Sequence, residues 1–334
     1  MLSQKVLFFL HLSIQFSNNF VTTILGISAY YHDSAAALIR DGVILSAVQE
    51  ERFTRKKNDF QFPSKSIEYI LSSNNVKLKD IDMIVFYEKP FLKFDRILET
   101  FFAHVPYGLK SFVKNMPIWV KEKIFQKRNI INKLKDIEND FMGEEKIYFS
   151  EHHLSHAASA FYPSPFKEAV VLTLDGVGEW ATSTISIGRG NELDILKEIH
   201  YPHSLGLLYS SFTYYAGFKV NSGEYKLMGL APYGKPIYEN LILNNIVDVK
   251  SDGSFFLNQK YFSYSTDYKM INKKFEKLFG NPARKFNSEN IDQFYCDIAA
   301  SIQKVLEIIV LKITKSIRKE YKIKNLCMAG GVAL

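Results

Sequence analysis

The stretch EHHLSHAASAFYPSPF places His152, His153 and His156 within five positions, and the apolar run that follows ends at Asp175 in LTLDGVGEW. On a helix, His152 and His156 stand one turn apart on the same face. Two imidazoles so spaced can grip one metal ion, and Asp175, arriving from a neighbouring strand, adds a hard oxygen ligand. A His/His/Asp set suits a divalent first-row metal, with iron, zinc and manganese all open. His153 points about 100° away from its neighbour on a helix of ~3.6 residues per turn and is left out of the set. Taken alone, the spacing also fits histidines that cap a helix and pack among alanines.

The elements that must position these residues follow from the apolar pattern. TILGISAYYHDSAAALIRDGVILSAVQEE reads as three strands, with Asp41-Gly42 as a hairpin turn. His32 and Asp33 sit in the turn between the first two, a place that commonly carries function, although Asp33 alone is an ordinary turn former. Arg52, Arg55, Lys56 and Lys57 follow as a small basic cluster. It is either a solvated strand exit or the carrier of a phosphate-facing lysine. FPSKSIEYILSSNNV reads as a helix, and DIDMIVFYEKP as a strand ended by Pro90. Residues 91–142 read as a helical insertion of two or three helices, broken near Pro106 and Pro117.

From Ala169 the pattern of the first section recurs as AVVLTLDG, WATSTISIGRG and LDILKEIHYP, followed by a helix. Two βββ-α-β units predict an α/β fold of the ribonuclease H-like, actin-type ATPase class. Such lobes hold phosphates at strand turns with backbone N–H groups, and Asp175-Gly176 is the second such turn. SGEYKLMGLAPYG reads as a glycine-rich loop with Glu224 and Lys226 as polar handles, and residues 237–287 as an irregular surface excursion. A long amphipathic helix then leads to KNLCMAGGVAL, a strand running into Gly330-Gly331. The expected organisation is a tail at 1–21, a first lobe at 22–165 and a second at 166–334. A buried final strand with no covering helix makes the second lobe read as truncated.

Composition narrows the function classes. Apolar residues make up 47% of 334, enough for a large core and against disorder. The net charge of +7 is scattered, and zinc-knuckle spacing, RNP-like motifs and Arg-rich tracts are absent, which argues against nucleic acid and leaves phosphorylated small molecules as partners. Two cysteines, Cys296 and Cys327, are too few for a disulfide framework and fit a reducing cytoplasm. No apolar stretch is long enough to span a bilayer. MLSQKVLFFLHLSIQF reads as a tail rather than a signal peptide, because it lacks a clear cleavage site.

The chain resembles the antibiotic- and nodulation-type O-carbamoyltransferases, the family that includes tobramycin carbamoyltransferase. The resemblance rests on GISAYYHDSAAALIRDG, QEERFTRKK, FYEKPFLKFDRILET, HHLSHAASAFYPSPF, LTLDGVGEW, SGEYKLMGLAPYG and NLCMAGGVAL, in family order over about residues 22–334. It implies a Kae1-like domain that in the family precedes a YrdC-like one. The YrdC-like domain makes carbamoyl adenylate from carbamoyl phosphate and ATP, and the Kae1-like domain passes the carbamoyl group to an acceptor hydroxyl, often of a sugar. The resemblance further implies Fe2+ held by His152, His156 and Asp175, with a further family Asp ligand lying beyond GGVAL. By the same resemblance His32, beside Asp33, is the histidine next to the acceptor, Lys57 contacts nucleotide and Arg96 handles carbamoyl phosphate. Gly176, Lys226, Gly330 and Gly331 fall in nucleotide-facing loops. A YrdC-like partner domain or chain is therefore expected. Two alternatives remain: a non-catalytic nucleotide- and metal-binding remnant, and a threonylcarbamoyl-transfer relative acting on tRNA. The wording of HHLSHAASAF and EYKLMGLAPYG favours the small-molecule enzymes.

Overall fold

The computed structural model describes residues 22–120, 124–286, 288 and 290–333; the tail expected at 1–21 lies outside them. The first sheet has the order β3-β2-β1-β4-β5, formed by β1 (Thr23–Ser28), β2 (Ala35–Arg40), β3 (Val43–Gln49), β4 (Met83–Phe86) and β5 (Ile147–Phe149). β1, β2 and β3 are antiparallel, whereas β4 adds parallel to β1 and β5 parallel to β4. Asp41 and Gly42 turn the second hairpin with φ of 49° and 79°. Positive φ at both central residues matches the right-handed twist of the strands they join.

The second sheet has the order β11-β6-β7-β8, from β6 (Glu168–Leu174), β7 (Ala181–Arg189), β8 (Glu192–His200) and β11 (Leu326–Ala329). β6, β7 and β8 are antiparallel, and β11 runs parallel to β6. Both sheets thus start with three antiparallel strands in sequence order and then add a strand parallel to the first. The mixed α/β class is as the sequence predicts.

Alternation along the strands decides what covers each face. Leu25 and Ile27 of β1 and Ile84 and Phe86 of β4 pack with α2 (Ser64–Ser73) and α5 (Gln126–Ile137). Ile24, Met83 and Val85 point the other way, onto α6 (His152–Phe161). Ala169 and Val171 of β6 reach the same helix from the second sheet. α6 is therefore a layer shared by both sheets, and its Ala157 and Ala158 are small enough to let them approach. Its Phe161 is buried against Gly188 of β7, where a Cβ would lie 2.5 Å from the phenyl ring. Burial of a phenylalanine side chain contributes about 1.5–3 kcal/mol.

The opposite face of β6, with Val170, Leu172 and Leu174, is covered by a larger core. This core is built by α7 (Leu205–Tyr215), α8 (Glu224–Leu230), α9 (Glu239–Asn245), the hairpin β9 (Val247–Val249) and β10 (Phe255–Leu257), α10 (Lys273–Phe279) and α11 (Gln293–Tyr321). Among the described residues, no helix is long and apolar enough to cross a membrane.

Several sequence expectations need correction. Residues 237–287 are not a surface excursion: Phe255, Phe275 and Phe279 are buried and join the largest core. The segment read as a glycine-rich loop is helix α8, because Leu227 gains a buried site on the α7 face and only Gly223 and Gly234 flank the turn ends. Pro90 does not end a strand. It opens α3 (Pro90–His104), where its missing N–H costs no helical bond. Pro106 falls between helices as expected, but Pro117 lies inside α4 (Leu109–Trp119).

Candidate functional site

The C-terminal ends of the parallel strands β6 and β11 meet at Asp175. Its backbone N–H donates to the Thr182 carbonyl at 3.0 Å and its carbonyl accepts from Ser204 Oγ at 3.0 Å, which fixes the residue as β6 ends. Gly331, just past β11, donates its N–H to Asp175 Oδ1 at 3.1 Å. Oδ2 faces α6, with His152 Nε2 at 2.9 Å and His156 Nε2 at 3.4 Å. Burial alone would raise the Asp175 carboxyl, but the contacts with His152 and His156 outweigh it and hold the group well below the usual carboxylate range.

Two side chains anchor the first turn of α6, and a third stands behind it. Glu179 accepts the His152 N–H at 3.1 Å on each carboxylate oxygen and the Lys89 N–H at 2.7 Å. Ser155 Oγ donates to the Tyr87 carbonyl at 2.9 Å. Glu88, buried and ion-paired with Lys93 at 2.7 Å, lies 3.6 Å from His152 Nδ1. His153 faces away from this cluster. Its Nδ1 lies 2.6 Å from Thr173 Oγ1, and burial, followed by the neighbouring His152, pushes its pKa down to about 3. Glu88 and Glu179 carry no spacing signal, so sequence reasoning missed both. The one trace of them is an acid directly after a strand and another within a tight turn.

The donor atoms of His152, His156 and Asp175 lie within 4.8 Å of one another. Ligands ~2.0–2.2 Å from a first-row ion stand about 3–4.5 Å apart, so the set fits such an ion. The surroundings are tight in the same sense. A Cβ on Gly331 would sit 3.0 Å from Asp175 Oδ1, and one on Gly206 would sit 2.6 Å from the Asp175 carbonyl. His152 Nδ1 is buried and makes no hydrogen bond among the described residues, but it faces the Glu88 carboxylate at 3.6 Å, a side on which the ring proton can sit when Nε2 is turned to an ion.

His32 reaches the same place from the first sheet. It lines a cavity of 340 Å³ with Asp175, Gly176 and Gly331, and with Glu224 and Tyr225 of α8. Its Nδ1 lies 2.8 Å from Asp33 Oδ2, where Asp33 adopts φ of 50°. Lys57 is exposed and stands over the Tyr225 ring at 5.3 Å, at the rim of this cavity. Gly330, with φ of 96°, packs so closely on Leu174 that a Cβ would lie 2.2 Å from its carbonyl oxygen. Lys226 is not brought in. It is exposed on α8 and is not in the wall of this cavity, whereas Glu224, Tyr225 and Met228 of that helix are. The Glu224 carboxylate accepts from Ser210 Oγ at 2.7 Å and the Asn221 N–H at 2.9 Å, so it holds local structure.

Arg96 is buried and donates to the Gly178 carbonyl at 2.9 Å. It lines a second cavity, of 380 Å³, rather than the first. Tyr31 and Asn221 line both, and their side chains bond at 3.2 Å between them.

Comparison with known proteins gives one consistent result. The family described as the carbamoyltransferase N-terminus matches residues 23–334. The chain is 57% identical over 316 residues to the protein sll1178 of Synechocystis sp., covering 94% of this chain and 51% of that one. It is 32% identical over 306 residues to the nodulation protein NolNO of Sinorhizobium fredii, covering 92% and 41%. It is 31% identical over 302 residues to MJ1051 of Methanocaldococcus jannaschii, covering 90% and 49%. The chain thus spans about half the length of these relatives. With a family match over nearly its whole length, the chain belongs to the carbamoyltransferases and carries their N-terminal region.

Proposed function

We propose that the chain carries the transfer site of an O-carbamoyltransferase, moving a carbamoyl group from carbamoyl adenylate to a hydroxyl of a small-molecule or sugar acceptor. The observation that carries this reading is the convergence of His32, Asp175, Gly176 and Gly331 on one cavity, with His152 and His156 behind Asp175. The two sheets act as paired actin-type lobes, and carbamoyl adenylate comes from carbamoyl phosphate and ATP on a YrdC-like partner domain or chain.

In this reading the acceptor oxygen bonds to the carbamoyl carbon, the bond from that carbon to the adenylate phosphate oxygen breaks, and AMP leaves with the electron pair. His32 takes the hydroxyl proton. Its Nδ1 faces the Asp33 carboxylate, which keeps the proton on that nitrogen and leaves Nε2 as the base. Lys57 offsets phosphate charge from the rim. Gly176 and Gly331 carry no side chain at the cavity wall, so a phosphate can approach their backbone. His152, His156 and Asp175 would hold a divalent ion, Fe2+ in this proposal, which supplies a Lewis acid for a phosphate or carbonyl oxygen.

The test is His32→Asn in the full-length protein. A fall in carbamoyl transfer of about 10²–10⁴-fold, with metal content and thermal midpoint unchanged, is the expected result. Full transfer by the variant would sink the assignment.

A further inference from the structure

The helical insertion ends in a turn that stands clear of the protein. α3 runs to His104 and α4 starts at Leu109, with residues 105–108 between them. The two helices are held together on one side. Phe101 of α3 and Phe112 of α4 stack at 3.7 Å with 10° between their planes, and Trp119 meets Phe112 edge-on at 6.1 Å. With those rings turned inward, the turn and the opposite side are left to solvent. Phe102, Val105, Tyr107, Leu109 and Val113 are each more than half exposed, Tyr107 to 75%. Pro106 is exposed as well, so three consecutive residues project at the tip. Single apolar residues scattered over a surface are ordinary. Five large ones gathered at the end of one hairpin form a patch that a partner covers.

Charge around the patch narrows that partner. Between Ala103 and Trp119 the sequence holds Lys110 and Lys114 and no acid. Lys114 is exposed and stands 5.9 Å over the ring of Tyr268, which is also exposed. Tyr268 belongs to the loop that abuts the turn, where a Cβ on Gly108 would lie 3.2 Å from the Thr266 carbonyl oxygen. Asp267 is exposed on the same loop. Its Oδ1 accepts the Tyr268 N–H at 2.7 Å, and Lys269 is exposed beside it. The exposed acids of α3, Glu99 and Asp95, lie about one and two turns behind Phe102 and leave the tip free of negative charge.

A projecting tip gives a peptide no groove to lie in. Val105, Leu109 and Val113 offer nothing to a polyanion such as nucleic acid, and a second copy would set lysines against lysines. A lipid surface suits both the shape and the charge. Its interface takes up apolar and aromatic side chains to a depth of about 5–10 Å, and anionic headgroups attract the lysines around them. We propose that the tip of the α3–α4 hairpin docks on an anionic lipid surface, with Phe102, Val105, Tyr107, Leu109 and Val113 entering the interface and Lys114 at the headgroups. The protein then lies on the membrane and does not span it. None of these residues lines the cavity at Asp175, so docking stands apart from the transfer chemistry.

Flotation of the protein with vesicles tests this, using phosphatidylcholine alone and phosphatidylcholine mixed with phosphatidylglycerol. The mixed vesicles should carry the protein about tenfold better than the plain ones, and added salt should weaken the difference. Leu109→Ser combined with Val113→Ser should cut binding to the mixed vesicles about a hundredfold, and Lys114→Gln about fivefold at low salt. All three positions are exposed, so the thermal midpoint should hold. Tyr107→Trp supplies a direct reporter, whose emission should move to shorter wavelength on the mixed vesicles. His32→Asn should leave binding unchanged. Absence of flotation, full flotation of the Leu109→Ser/Val113→Ser variant, or a Tyr107→Trp emission that stays put on bound vesicles would each overturn the inference. So would a tip that proves to bind an oligonucleotide, or to form a dimer lost on Leu109→Ser, while vesicles remain unbound.

Discussion

Glu179 holds the start of the histidine helix. Replacing it with Ala leaves the backbone N–H groups of His152 and Lys89 without their acceptor in a buried setting. An orphaned buried donor costs about 1–3 kcal/mol, so Glu179→Ala should lower unfolding free energy by about that amount in urea titration. Glu88 plays a different part, standing behind His152 rather than under its helix. On the proposed metal reading, Glu88→Gln should weaken metal affinity about 10–100-fold in a competition titration. The contrast shows what sequence could and could not reveal at this scale. His152 and His156 declare themselves by a spacing of four, and Asp175 by its place at a strand end. Glu88 and Glu179 are brought to them across tens of residues, and no local period encodes such a meeting. Lys226 shows the converse: its motif reaches the cavity through Glu224, Tyr225 and Met228, while Lys226 itself stands exposed beside them on α8.

At the scale of elements, α6 owes its place to small residues on both sides. Gly188→Ala would drive a methyl group into the Phe161 ring. Overpacking of this kind costs about 1–3 kcal/mol, measurable as a lower thermal midpoint, and a paired Phe161→Leu should recover part of it. The strands of both sheets were legible because their apolar runs are short, nearly continuous and bounded by turn residues. α8 was not, since glycines at 223, 229 and 234 outweighed the one fully buried leucine that decides the segment. The three-residue strands β9 and β10 and the seven-residue helix α10 are too short to show a period. Their aromatics were read as surface because nothing local says that Phe255, Phe275 and Phe279 meet in one core.

Across the whole molecule, the proposed ligands come from separate layers: two from α6 and one from the end of β6. An ion bound there links the layers in the folded state alone. Adding Fe2+ at a hundredfold excess over its Kd should therefore stabilise the stripped protein by about 2.7 kcal/mol in anaerobic thermal unfolding. His152→Ala should abolish most of that shift. The chain covers 41% of the length of NolNO, and because the proposed donor is made on a YrdC-like partner, the tests of transfer include that partner.

One consequence of the shared layer is mechanical. α6 is gripped by the first sheet through Ile24, Met83 and Val85, and by the second through Ala169 and Val171, while Asp175 rides on the second. Rocking of one sheet against the other would change the spacing between Asp175 and the imidazoles of α6. On the proposed metal reading, the ligand set would act as a built-in goniometer for the angle between the sheets. The Mössbauer or near-infrared spectrum of bound iron would then register opening and closing at a point where neither sheet itself bends.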